Sequence, residues 1–125
     1  MSTLEAVMTT QEIADRMYEL FKENKWAEVQ QELFSDDAES IEPANSPGMQ
    51  SVKGKEALKK KGDDFNNMIE EVHGGYTGQP VVAGNHIAFA MGFDATMKGM
   101  GRQKMDEIAV YEVKDGKIIK EQFFY

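Results

Sequence analysis

An Asp-Gly pair close to the C-terminus limits the folds open to this chain more than any other feature. Asp115-Gly116 separates two runs of β-branched and aromatic residues. Val110, Tyr111 and Val113 precede it, and Ile118, Ile119, Phe123, Phe124 and Tyr125 follow it. Glycine takes a positive φ without penalty and aspartate tolerates one, so the pair predicts a tight hairpin turn between two strands. Strands this rich in large apolar groups must bury at least one face. The hairpin is therefore expected inside the fold, as the back wall of a pocket.

The rest of the composition narrows the class. A chain of 125 residues fits one domain with one core. Residues 1–8 are expected to be a tail and residues 9–125 the domain. No cysteine is present, so disulfides and thiolate metal sites are excluded. No basic segment leads into an apolar run at the N-terminus, and no stretch nears the ~18 apolar residues of a membrane span. A cytoplasmic protein that does not enter membranes is the expectation. The net charge of −8 repels phosphate backbones and speaks against nucleic acid as a partner. The densest basic run, Lys59-Lys60-Lys61, is followed by Asp63-Asp64 and reads as one solvated helix face.

Three helices are expected before the strands. Thr9 and Glu12 match a capping box, and Ile13, Met17, Leu20 and Phe21 then recur at helical spacing with Tyr18 on their flank. A second helix from Trp26 to Phe34 would bury Trp26, Val29, Leu33 and Phe34. Ala38–Glu42 reads as a short strand stopped by Pro43, and residues 43–48 as a loop. A third helix opens at Gly54-Lys55-Glu56 and runs through Leu58, Phe65, Met68 and Ile69. A bent, glycine-containing strand is expected from Val72 to Val82. His86 to Lys98 follows, with Ile87, Phe89, Met91, Phe93, Ala95 and Met97 alternating against smaller or polar residues. Gly99-Met100-Gly101 turns the chain into the closing hairpin. Helices followed by an antiparallel meander make an α+β layout.

Several segments resemble the nuclear transport factor 2-like superfamily, and within it the SnoaL-like polyketide cyclases and related ketosteroid isomerases. Leu33-Phe34-Ser35-Asp36-Asp37-Ala38 resembles its helix-end signature, and Glu42-Pro43 its acid-proline pair. Val52-Lys53-Gly54-Lys55-Glu56-Ala57-Leu58 resembles the start of its third helix, and residues 115–125 its final hairpin. The resemblance implies a cone-shaped, curved antiparallel or mixed sheet, with three N-terminal helices packed over its concave face, enclosing a pocket. It fixes chemistry poorly, because this fold hosts enzymes and binders alike.

The resemblance places Glu42 where the isomerases keep their proton-moving acid. Tyr18 falls near their oxyanion tyrosine, although a one-residue gap would place Met17 there. Their second oxyanion donor, an acid on the penultimate strand, aligns with Ala109, which cannot donate a hydrogen bond. This argues against a ketosteroid isomerase. A separate acid pair is suggested by the hairpin around Gly99-Met100-Gly101. A three-residue loop would set Asp94 opposite Asp106, and a two-residue loop would set it opposite Glu107. Family parity turns Met105, Glu107, Ala109 and Tyr111 inward. The bare pattern instead groups Asp106 with Ile108 and Val110. The alternative is a solvated acid rim beside Lys98, Arg102 and Lys104.

The candidate catalytic residues are thus Glu42, Asp94, Asp106, Glu107 and Tyr18. Candidate ligand contacts are Met17, Phe21, Trp26, His73, Met91, Met105, Tyr111 and Phe123, because thioethers and rings suit an apolar pocket. His73 and His86 lack metal-ligand spacing, so no metal and no cofactor is expected. The expected function is an isomerase, cyclase or dehydratase in which one carboxylate moves a proton beside the carbonyl of a hydrophobic small molecule. The alternatives are a non-catalytic carrier and a homodimer joined through the outer sheet face.

Overall fold

The structure, a computed structural model, describes residues 7–46 and 49–125. Six of the eight expected tail residues, and residues 47–48 of the expected loop, lie outside the described residues. Helix α1 spans Thr10–Lys22. The capping box forms as expected: Glu12 N donates to Thr9 Oγ1 at 3.1 Å and Thr9 N to Glu12 Oε1 at 2.9 Å. We expect Thr9→Ala to lower stability by about 1 kcal/mol, read as a lower urea midpoint at unchanged slope. The α1 stripe Ile13, Ala14, Met17, Leu20 and Phe21 is buried.

Helix α2 spans Trp26–Leu33. Arg16 of α1 clamps it with two bonds to the Glu32 carboxylate, at 2.7 and 2.8 Å. Trp26 corrects the sequence reading: it is 45% exposed. It is the first residue of α2, at the helix end, and stacks on Phe21 at 4.4 Å between centroids. Phe34 also leaves the expected helix. It begins strand β1, Phe34–Ile41, and the register slips between Phe34 and Glu39 to absorb Ser35-Asp36-Asp37. Strand β2 is the short Val52–Lys53, and helix α3 spans Lys55–Met68.

Five further strands complete the sheet. They are β3 (Ile69–Thr77), β4 (Val81–Ala83), β5 (His86–Met97), β6 (Gly101–Lys114) and β7 (Lys117–Phe124). Ile69 thus opens a strand instead of closing α3, and the expected bent strand is two separate pieces. The order is β2-β1-β7-β6-β5-β3, with β4 also on β5. β1 and β7 are parallel, and the other pairs are antiparallel. The result is an α+β fold with three helices and a mixed, open, curved sheet of seven strands.

The β6–β7 turn forms at Asp115-Gly116, both with positive φ, 52° and 76°. Val7 packs onto Gly116 where a side chain would stand. An alanine there would meet both the wrong φ and Val7, so Gly116→Ala is expected to lower the melting temperature by several degrees.

Two cross-strand rows define the faces of the sheet. Phe89, Ala109 and Phe123 stand side by side and belong to or pack on the core. In the next row Ala90, Ile108 and Phe124 point the other way, with Ile108 46% and Phe124 48% exposed. The inner face packs against the helices. Phe89 is fully buried there, edge-on to Phe21 at 5.2 Å and to Tyr111 at 6.0 Å.

Candidate active site

Alternation along β1 turns Ala38, Ser40 and, just beyond the strand, Glu42 inward, and all three are buried. Alternation along β7 brings Glu121 and Phe123 to the same face, with Tyr125 at its end. Leu58, Lys61, Phe65 and Met68 fall at helical spacing on one side of α3. Lys61 thereby reaches into the sheet, and only 11% of its side chain is exposed.

These groups form one hydrogen-bonded chain. Lys61 Nζ donates to Glu42 Oε2 at 2.6 Å and to Ser40 Oγ at 2.8 Å. Ser40 Oγ donates to Glu121 Oε1 at 2.7 Å. On the other side, Tyr125 Oη donates to Glu42 Oε1 at 2.6 Å, with Ser46 Oγ 2.8 Å from the same phenol. Ser51 Oγ accepts from the Glu42 backbone N–H at 2.9 Å. Lys61 also lies 5.5 Å above the Phe123 ring.

Glu107 stands on the inner face beside this chain, opposite Met91 and two residues from Ala109. Burial, and then the negative charges of Glu42 and Glu121, push its carboxyl up to about 7, against a smaller opposing pull from Lys61. Burial also raises Glu121 to about 7, although the Ser40 bond and Lys61 favour its charged form. Tyr111, buried opposite Glu121, is raised well above the ordinary tyrosine range by burial and these acids. Burial and the bond to Glu42 push Tyr125 up to about 12.

A carboxyl near 7 is half ionised at neutral pH, the condition in which it can both take and return a proton. It also carries a stability signature. Glu107 and Glu121 have folded values above the unfolded one, so the native state holds more protons between about 4.5 and about 7. Their stabilising contribution is complete below that window and is lost as pH rises through it. The melting temperature is therefore expected to fall across this range, and Glu107→Gln should make the fall shallower.

The expected pairing of Asp94 with Asp106 or Glu107 does not form. The loop is Lys98–Met100, with Met97 opposite Gly101, so Asp94 faces Lys104 and Asp106 faces Gly92. Asp94 is on the outer face in a two-pronged ion pair with Arg102, at 2.8 and 2.7 Å, which holds its carboxyl below the usual range. Asp106 is exposed on that face and accepts from Tyr76 Oη at 2.6 Å. The Tyr76 ring lies across Gly92, where no side chain stands in its way. His73 bonds Thr96 at 2.7 Å, away from Glu42.

The other residues singled out from sequence divide in two. Met17, Phe21, Met91 and Tyr111 are buried in the packed core. Tyr18 is half-buried at the core's margin, with Lys22 over its ring at 4.5 Å. Met105, opposite Phe93, and Phe123 are half-buried along the Glu107 side of the inner face. Two open concavities lie elsewhere. One, of about 440 Å³, runs along β1 and the β6–β7 turn past Ser35, Lys53 and Lys117. The other, about 80 Å³, is on the outer face between His86 and Gln122. Among the described residues no group of three His, Cys, Asp or Glu is placed to hold a metal ion, and no helix is long and apolar enough to cross a membrane.

The chain belongs to the SnoaL-like domain family, which it matches over residues 8–125. Among solved structures it is similar to a candidate SnoaL-like polyketide cyclase, also described as a carbohydrate phosphatase, from Mesorhizobium loti. The two are 40% identical over 94% of this chain and 100% of that one, with a TM-score of 0.88. A ketosteroid isomerase-like protein from Catenulispora acidiphila, solved with trimethylamine, is 19% identical over 94% and 87% of the two chains, at a TM-score of 0.69. An NTF2-like protein of unknown function from Burkholderia pseudomallei shares the fold at 13% identity and a TM-score of 0.73, over 94% and 92%. No curated protein matches the chain.

Proposed function

We propose that the protein is a cofactor-independent enzyme that moves a proton next to the carbonyl of a hydrophobic small molecule, as an isomerase, cyclase or dehydratase. One observation carries the reading. Glu107 is a mostly buried carboxyl pushed up to about 7, opposite Met91 on the inner face and with no hydrogen-bond partner among the described residues. Glu42 is instead paired on both oxygens, with Lys61 and with Tyr125, which suits a fixed negative charge more than a proton carrier. Met105 and Phe123 supply adaptable apolar surface for the substrate. A phosphate ester fits poorly, because three carboxylates stand around one ammonium.

The test uses a hydrophobic ketone with acidic α-hydrogens, 2-tetralone, in deuterated water. Wild-type protein should accelerate deuterium incorporation at the α-carbon, followed by NMR. No acceleration over buffer, or equal acceleration by Glu107→Gln, would overturn the proposal.

A second reading is a non-catalytic carrier acting as a homodimer. What favours dimerisation is the outer row Ala90–Ile108–Phe124, two of whose side chains are about half exposed. Ile108→Lys is expected to shift the sedimentation mass from dimer to monomer. A monomeric wild type would end this part of the reading.

A further inference from the structure

We propose that Lys61 is the electrophile of this site, holding the carbonyl oxygen of the ligand and the negative charge that gathers there when the α-proton leaves. The inference rests on the carbonyl reading above and assigns the half of the chemistry that Glu107 cannot perform.

Removing a proton from the α-carbon breaks a C–H bond. The proton passes to a Glu107 oxygen, and the electron pair moves through the carbon framework to the carbonyl oxygen. That oxygen becomes an enolate and needs a donor or a cation. The inner wall beside Glu107 offers few. Ala109 presents a methyl group, Met91 and Met105 have no donor, Phe123 offers only a ring, and the Tyr111 phenol is buried in the packed core. Tyr125 Oη is already committed to Glu42, and Ser40 Oγ to Glu121.

Lys61 differs from all of these. An ammonium carries three N–H donors. Two are used, by Glu42 and Ser40, and the third has no acceptor among the described residues. The ammonium stands 5.5 Å above the Phe123 ring, whose strand neighbour is Ala109, two residues from Glu107 on the same inner face. Glu42 and Ser40 fix its position, so little reorganisation is needed when charge develops. A long, flexible lysine alone would lose that advantage.

The same contacts explain why a buried cation sits where the sequence shows a solvated run. Lys59 and Lys60 reach outward to Asp63 and Asp64, at 2.8 and 2.7 Å. Lys61 falls one position further round the helix, on the Leu58–Phe65–Met68 side. The ammonium is tied to Glu42 directly and, through Ser40, to Glu121, so two elements of the sheet fix its place.

The test reads the carbonyl itself. 2-Tetralone labelled with ¹³C at the carbonyl is bound to wild-type protein, and its stretching frequency is measured by infrared difference spectroscopy. A bond from Lys61 polarises the carbonyl and should lower the frequency relative to the ketone in an apolar solvent. Lys61→Met should remove the shift, and Lys61→Arg should restore part of it. Because Lys61→Met strands Glu42 without its cation, the double variant Glu42→Gln/Lys61→Met is measured in parallel, with circular dichroism confirming the fold. An unshifted carbonyl in the wild type, or the same shift in the folded variants lacking Lys61, would overturn the assignment. Deuterium exchange distinguishes the two failures. Exchange that depends on Glu107 without a carbonyl shift removes Lys61 alone, whereas a shift without exchange removes Glu107 and leaves Lys61 as a ligand-binding group.

Discussion

Glu107→Gln is expected to slow α-deuterium exchange into 2-tetralone by about 10²–10⁴-fold, the range for losing a positioned general base. The amide keeps the size of the side chain and its place opposite Met91, so the loss should fall on the chemical step more than on binding. The pH profile gives a second check. A base must be ionised to accept a proton, and Glu107 is held near 7, so wild-type exchange should rise with pH and level off above about 7. Over the same window the fold loses stability, because burying Glu107 and Glu121 favours their neutral forms. Activity and melting temperature should therefore move in opposite directions. A profile that is flat across this range, or set by a group titrating near the ordinary ~4.3 of glutamate, would remove Glu107 from the role.

Phe89→Ala is expected to destabilise the fold by about 3–5 kcal/mol, measured by urea unfolding. Phe89 is fully buried in the first half of β5, and its ring meets Phe21 from α1 and Tyr111 from β6 edge-on. Its removal opens a cavity where helix and sheet join, and the two surrounding rings can fill it only by leaving their own contacts. Since a typical domain is stable by about 5–15 kcal/mol, much of the margin would go. A loss below about 1 kcal/mol would mean that α1 is free to settle onto the sheet.

Much of this architecture can be read in the chain itself. The Asp115-Gly116 turn, the capping box at Thr9 and the alternation from Ile87 to Met97 are local signals, and each reports its own element. The register between β5 and β6 is less legible, because Gly99 and Gly101 both take positive φ and nothing in the sequence says which residues stay in the loop. A shift of two in the summed pairing moves Asp94 from an acid partner to Lys104. The site is legible in part. The family resemblance marks Glu42 and turns Glu107 inward, while the bare pattern of β6 leaves the face of Glu107 open. Glu121 shares the parity of Phe123 and Tyr125 but is not singled out by the sequence, and Lys61 shares the spacing of Leu58 and Phe65 but reads with Lys59 and Lys60 as a solvated face. Nothing local announces that an outward-looking lysine run and a charged strand will meet across the sheet.

The parallel pairing of β1 with β7 has a consequence for how the protein is made. Ser40 and Glu121 are 81 positions apart, and Glu42 and Tyr125 are 83 apart. Every strand between them must be synthesised before β1 gains its parallel neighbour. Contacts of such long sequence separation close late and slow the search for the native state. Until then, Glu42 and Lys61 belong to a half-built surface, and the β1 edge later covered by β7 is open to other strands. The full acid cluster thus needs β7 in place, because Glu121 and Tyr125 reach Ser40 and Glu42 only from that strand.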